Sequence, residues 1–377
     1  MSEPEIHGFC DDRFQSVKSA FTKNFRLELE LGACFALTVE GEYVVDLWAG
    51  HKDKARTQPW EENTLTPVAS NSKIICTLCG LMLVDRGLIE LDAPIANYWP
   101  EFSAGGKSDL PVRYIFCHAT GLPGLDEPPT FETLSDWDKM TTALAAQTPW
   151  WEPGTQSGYQ GVTYGFLLGE LVRRTTGKKL GQFFREEVAQ KIGADFHIGL
   201  PESEFHRVAE TQQNESGPRQ QVPGSIAARA VPIMEIMEVI NTQEFWTPEI
   251  PAVNGIGNAR SLARIGSIFA CEGKLEGNRF LSEDIIRQVG QEQMYTEDLV
   301  MGAPVRWGLG LGLPSKEIPI PFERALHWGG YGGSTTVMIP EKHAAFSYIP
   351  TMFDESIFGD ERSRRVNTAA IANLMNI

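Results

Sequence analysis

The sequence predicts an α+β protein, with an antiparallel sheet flanked by N- and C-terminal helices and an inserted, mostly helical domain. Three observations carry this. A helix pattern followed by strand-like runs opens the chain, and strand-like runs followed by a helix pattern close it, so both ends can build one layer. The middle reads as helices and long loops rich in Pro and Trp. With 377 residues, 42% hydrophobic and 22% charged content, the chain can bury a large core and divide into two lobes.

Taken in order, Asp11-Asp12 are good capping residues, and Phe14, Val17, Phe21 and Phe25 then fall on one helical face, which predicts a helix over residues 11–25. Residues 33–39 and 43–48 read as strands joined by the turn Glu40-Gly41-Glu42. The polar stretch 49–66 is a surface connection. A helical apolar pattern runs over 70–85 and stops at Arg86-Gly87. Further helices are expected at 163–175, 181–192, 232–241 and 260–272. Strand texture returns at 307–313, 335–339 and 344–349, and a helix over 362–375 closes the pattern. The expected division is a discontinuous α/β domain from 1–66 and 256–377 and a mainly helical domain over 67–255. The active site is then expected at the seam, where ligand clefts form.

Composition excludes several classes of function. The formal net charge is −16, and no basic stripe is present to replace phosphate counterions, so no nucleic-acid partner is expected. The start, MSEPEIHGFCDDRF, is acidic where a signal peptide is basic, and no apolar run reaches the length of a membrane span. A cytoplasmic protein with no membrane partner is expected, and six cysteines without framework spacing fit reduced thiols. Cys76 and Cys79 form a CxxC inside an apolar helical run, with no second pair and no histidine pair nearby, and so read as core thiols.

Other chemistry is missing too. No GxSxG surrounds any serine. Gly106-Lys107-Ser108 ends like a phosphate-binding loop, but Glu101 stands where its first glycine belongs. The run Gly308-Leu309-Gly310-Leu311-Gly312 sits in an expected strand, not at a strand-to-helix turn. Neither HExxH nor an EF-hand loop is present. No metal, nucleotide or other cofactor is expected.

The residues that carry chemistry begin with Ser70-Asn71-Ser72-Lys73, at the first turn of an apolar helix. Positions three apart share a helix face, which puts the Lys73 amine within reach of the Ser70 hydroxyl. A serine becomes a nucleophile when a base takes its proton, and a lysine can serve once burial lowers its pKa. The Ser70 N–H at the same terminus can meet a developing oxyanion. The second element is Pro153-Gly154-Thr155, followed by Tyr159 on a loop before the 163–175 helix. Its phenol can relay a proton if a neighbouring ammonium such as Lys73 lowers its pKa. The third is His327-Trp328-Gly329-Gly330-Tyr331-Gly332-Gly333-Ser334, where glycines let backbone approach a substrate and the Tyr331 N–H is a candidate second oxyanion donor.

This order and spacing resemble the class C β-lactamase and DD-peptidase superfamily from about residue 12 onward, including Cys117-His118-Ala119-Thr120-Gly121-Leu122-Pro123-Gly124, which is similar to that family's SHTSGLPG segment. The resemblance implies a serine β-lactamase-like fold and acyl-enzyme chemistry at Ser70, Lys73 and Tyr159. Two departures stand out. The family's Tyr-x-Asn reads Tyr159-Gln160-Gly161, and its Lys-Thr-Gly reads Trp328-Gly329-Gly330, which removes the groups that would hold a β-lactam or peptide. The Trp-Gly-Gly motif is similar to that of the family VIII carboxylesterases. It implies a small neutral ester as substrate, in a site for which Trp328, Gly329, Gly330, Gly161 and Trp151 are the candidate lining, with packing under the loop the equal alternative for the pair Trp150 and Trp151. Residues 200–250 show no motif and are expected to wall the pocket. An amidase or D-amino-acid peptidase, a weak β-lactamase, an acyltransferase and a non-catalytic scaffold remain open as alternatives, as does the oligomeric state.

Overall fold

Six antiparallel strands organise the computed structural model, which describes residues 4–377 except 216, 218 and 219. They are β1 (Ile6–Cys10), β2 (Gly32–Val39), β3 (Glu42–Gly50), β4 (Leu326–Gly330), β5 (Ser334–Ile339) and β6 (Ala344–Pro350). Their spatial order is β1-β3-β2-β6-β5-β4. The two ends of the chain therefore meet at the β2–β6 pair, with Ala33 opposite Pro350 and Val39 opposite Ala344. The helices that matter here are α1 (Gln15–Arg26), α2 (Ser72–Asp85), α3 (Thr163–Thr176), α4 (Ala259–Ala270) and α5 (Glu361–Met375).

Both sheet faces are covered, so β5 and β6 are buried along their whole length. Phe35, Leu37, Val45, Leu47, Phe346 and Tyr348 point to one face and pack with Val17 and Phe21 of α1 and Val366 and Leu374 of α5. The alternate residues, Cys34, Ala36 and Ala345, belong to the other core. There α4 lies close on the sheet, because a Cβ at Gly266 would come 3.1 Å from Ala345 Cβ. On the helical side, α2 is buried on every side from Ser72 to Leu83, as a central core helix must be. Cys76 and Cys79 lie within it, and burial pushes the Cys76 thiol up to about 12 and the Cys79 thiol well above its usual value. Lys107 is also buried: its amine donates to the carbonyls of Ala104, Ala145 and Gln147, a backbone clasp unrelated to phosphate binding. Among the described residues, no helix is long and apolar enough to cross a membrane.

Two of the expected elements form differently, and β1 was not among those expected. Residues 307–313 are not a strand. The strand is Ala303–Trp307, paired with Met294–Asp298, and the glycine run that follows is a loop. Gly310 adopts φ +90°, and a Cβ there would strike Thr77 at 2.4 Å, so this glycine serves a close passage over α2. Strand β1, at the sheet edge, lacks a clear alternating pattern and was not anticipated. The helix expected over 181–192 forms as Leu180–Phe184 and Gln190–Ile192 with a π-helical turn between them.

A buried ionic cluster braces the turn after β4. The Arg362 guanidinium lies 3.2 Å from Glu30 and also binds Asp360, the N-cap of α5. It donates as well to the Gly332 carbonyl at 3.0 Å. Burial raises the Glu30 carboxyl to about 7, against the pull of Arg362. Removing one partner strands buried charge, which costs about 3–5 kcal/mol. Arg362→Met is therefore expected to lower unfolding stability by about that amount in chemical denaturation, while a surface control such as Arg287→Met changes little.

Candidate active site

The turn that carries Ser70 is held in an unusual backbone conformation. Residues Ala69–Asn71 form a 3-10 turn into α2, and Ala69 has φ +48°, a left-handed value that costs a non-glycine residue about 1–3 kcal/mol. Its surroundings enforce it. Ser72 Oγ donates to the Ala69 carbonyl and accepts the Gly255 N–H at 2.9 Å, and Asn71 Nδ2 donates to Ser334 Oγ at 2.8 Å. Ser70 is thereby half-exposed at the cleft floor.

Two side chains converge on its hydroxyl: the Tyr159 O–H donates to Ser70 Oγ at 2.7 Å, and Lys73 Nζ lies 3.3 Å away. The Lys73 amine is buried, and its other partners are the carbonyls of Gly161 at 2.6 Å and Ala252 at 3.0 Å. No carboxylate is among them, so burial brings its pKa down to about 7. A neutral amine has two N–H groups and one lone pair. With both N–H groups on carbonyls, the lone pair is left for the Ser70 proton.

The phenol departs from expectation. Its pKa is raised, not lowered, because Tyr159 is only 2% exposed and burial outweighs the Ser70 hydrogen bond. The charge of Asp298 adds to the rise, while the Trp328 indole opposes it. That indole N–H bears on the phenol without reaching hydrogen-bond geometry, and its ring centroid lies 5.5 Å from that of Tyr159. Burial thus shifts the two groups in opposite directions, which suits the amine to accept a proton and the phenol to keep one.

His118 gave no functional signal in the sequence beyond its place in the 117–124 segment, yet it holds the Tyr159 loop. Its Nδ1 accepts the Gln160 N–H at 3.1 Å, and its carbonyl accepts the Gly158 N–H at 2.9 Å. The ring is packed among Tyr159, Tyr164 and Trp307, and burial holds its pKa well below the usual histidine value.

The other expected residues separate into those the fold brings to Ser70 and those it does not. Gly330 meets the nucleophile's turn: a Cβ there would come 2.5 Å from the Val68 carbonyl and 3.2 Å from the Ser70 nitrogen. Tyr331 follows and lines the cleft, its phenol donating to Gln213 Oε1 at 3.3 Å. Gly161 lines it too. Trp328 and Gly329 instead border a second hollow beside α5, with Trp328 backing Tyr159. Trp151 is a correction. Its ring fills the space a Gly158 side chain would need and its N–H donates to Gln156 O, so it packs beneath the loop and does not line the cleft.

The cleft itself holds about 410 Å³. One wall comes from the stretch that had no readable motif, through Ile226, Val231, Ile233, Ile236 and Ile240, and the facing wall from Leu299, Val300 and Met301. Among the described residues that line it, none is charged.

The family model described as Beta-lactamase matches residues 21–370. The chain belongs to the β-lactamase family. A crystal structure of a family VIII carboxylesterase superposes with a TM-score of 0.92 at 38% identity, covering 98% of this chain and all of that one. A penicillin-binding protein homologue from Caulobacter crescentus superposes with the same TM-score at 34% identity, covering 98% of this chain and 100% of its own. The esterase/β-lactamase LipL of Mycobacterium tuberculosis is 32% identical over 368 residues, 91% of this chain and 82% of the relative. Within the β-lactamase family, the chain is a serine hydrolase.

The Lys73 geometry predicts how this enzyme titrates. With the amine losing its proton near pH 7, the rate of Ser70 labelling by a fluorophosphonate should rise as pH passes through about 7 and level off above it. Lys73→Arg keeps its charge at every accessible pH and should slow labelling by about 10²–10⁴-fold.

Proposed function

We propose that this enzyme is a carboxylesterase that hydrolyses small, uncharged esters through an acyl-enzyme on Ser70. The observation that carries the reading is the mainly apolar, uncharged cleft opening on Ser70 and Tyr159, with Lys73 buried behind the serine. Trp328-Gly329-Gly330 offers no cation to a substrate carboxylate, and the family VIII carboxylesterase and LipL likenesses point the same way.

In this cycle Lys73 takes the Ser70 proton as Oγ attacks the ester carbonyl carbon. The N–H groups of Ser70 and Tyr331 hold the oxyanion. Collapse of the tetrahedral intermediate breaks the bond to the leaving oxygen, which takes its proton from Tyr159, and Lys73 returns a proton to the phenol. Water then attacks the acyl-enzyme by the same relay in reverse and releases the acid. A phenol pKa above its usual value keeps Tyr159 protonated at neutral pH, as a proton donor must be.

The test pairs p-nitrophenyl esters with nitrocefin and a D-alanyl p-nitroanilide, beside Ser70→Ala. Ser70→Ala should abolish turnover and leave the fold intact. Each added acyl methylene buries about 0.8 kcal/mol of apolar surface, so kcat/KM should rise about fourfold per methylene from acetate until the chain fills the cleft. A flat series, or faster turnover of nitrocefin or the anilide, leaves the nucleophile in place and overturns the ester reading.

A further inference from the structure

Asp298 ends the strand Met294–Asp298 and is fully buried. One of its oxygens, Oδ1, accepts three backbone N–H groups: Tyr159 at 2.9 Å, Val300 at 3.0 Å and Met301 at 3.0 Å. The other, Oδ2, is buried with no hydrogen-bond donor among the described residues. The bonds to Val300 and Met301 close a local turn, which a neutral Ser, Thr or Asn would also close without burying a charge. The bond to Tyr159 is different in kind, since it joins positions 139 residues apart. The seam around it is laced further: Leu299 N–H donates to the Ser157 carbonyl at 3.0 Å and Ser157 N–H to Thr296 Oγ1 at 3.4 Å.

What Asp298 joins is the proton donor and the substrate wall. Tyr159 reaches Ser70, while Leu299, Val300 and Met301 face the cleft. We propose that Asp298 is a positioning residue that clamps the Tyr159 backbone to the acyl-binding wall and so sets the reach of the phenol to Ser70. This rests on the Ser70 hydrolase reading. The titratable groups that face Tyr159 are Lys73 from α2, with Nζ 4.7 Å from the ring centre, His118 from the 117–124 segment and Asp298 from the hairpin, with Tyr164 of α3 beyond His118.

The experiment compares the full-length wild type with Asp298→Ala and Asp298→Asn, using p-nitrophenyl butyrate turnover across pH and fluorophosphonate labelling of Ser70. If the wild type shows neither activity, the hydrolase reading itself has failed. Given an active wild type, Asp298→Ala should lose about 10²-fold in kcat, the scale of a small displacement of a catalytic group. Asp298→Asn keeps an oxygen for the three N–H groups and should recover most of that loss. Neither variant alters a side chain that lines the cleft or a partner of the Lys73 amine, so the loss should fall on kcat more than on KM, with the rise near pH 7 left in place. A folded Asp298→Ala within about threefold of wild-type kcat overturns the proposal, on the same scale. So does an Asp298→Asn variant that recovers none of the loss; if the alanine variant does not fold, Asp298→Ser, which keeps an oxygen for the local turn on a shorter side chain, is judged by the same kcat threshold.

Discussion

The site depends on keeping one amine out of water. Lys73 sits one helical turn from Ser70 in a core helix, and its N–H groups are taken by carbonyls from two distant segments, at Gly161 and Ala252. Neither carbonyl carries a net charge to hold an ammonium, so burial decides and the amine becomes a base near neutral pH. Gly161 belongs to the same loop as Tyr159, so the loop that dries the lysine also delivers the phenol. The burial that pulls one pKa down pushes the other up, so a single environment sets both shifts.

The aromatic packing behind the phenol sustains that dryness. Trp307, Trp328 and the neutral His118 surround Tyr159 without adding a charge, and Asp298 is the anion whose field reaches it. The formal net charge of −16 therefore says little about the reaction, because no charged side chain lines the cleft among the described residues. A separate buried cluster, Glu30–Arg362–Asp360, steadies the turn after β4.

Local patterns carried much of this into view. The Ser70–Lys73 spacing is a property of one helical turn, and the strands at residues 33–39 and 344–349 show in their apolar, β-branched and aromatic runs. What could not be read was set by distant partners. The carbonyls of Gly161 and Ala252 have no side-chain signature, and Asp298 acts on a residue 139 positions away. The direction of the Tyr159 shift was misread because a sequence shows neighbours but not the depth of burial. Trp151 was placed in the pocket because an aromatic beside a loop can face either side of it. The spacing of Ile233, Ile236 and Ile240 marks a helix but not whether its apolar face meets core or cleft, since both are apolar.

The joining of the chain's two ends at the β2–β6 pair has a consequence in time. A ribosome makes Ser70, Lys73 and Tyr159 well before it makes β4, which lies against the serine's turn, and β6, which holds the N-terminal hairpin in the sheet. Pairings between such distant positions form late in folding. A nascent chain or a fragment cut short before residue 326 carries the nucleophile without the strand that backs it. The serine's turn thus gains its backing only when the last strands of the sheet are in place.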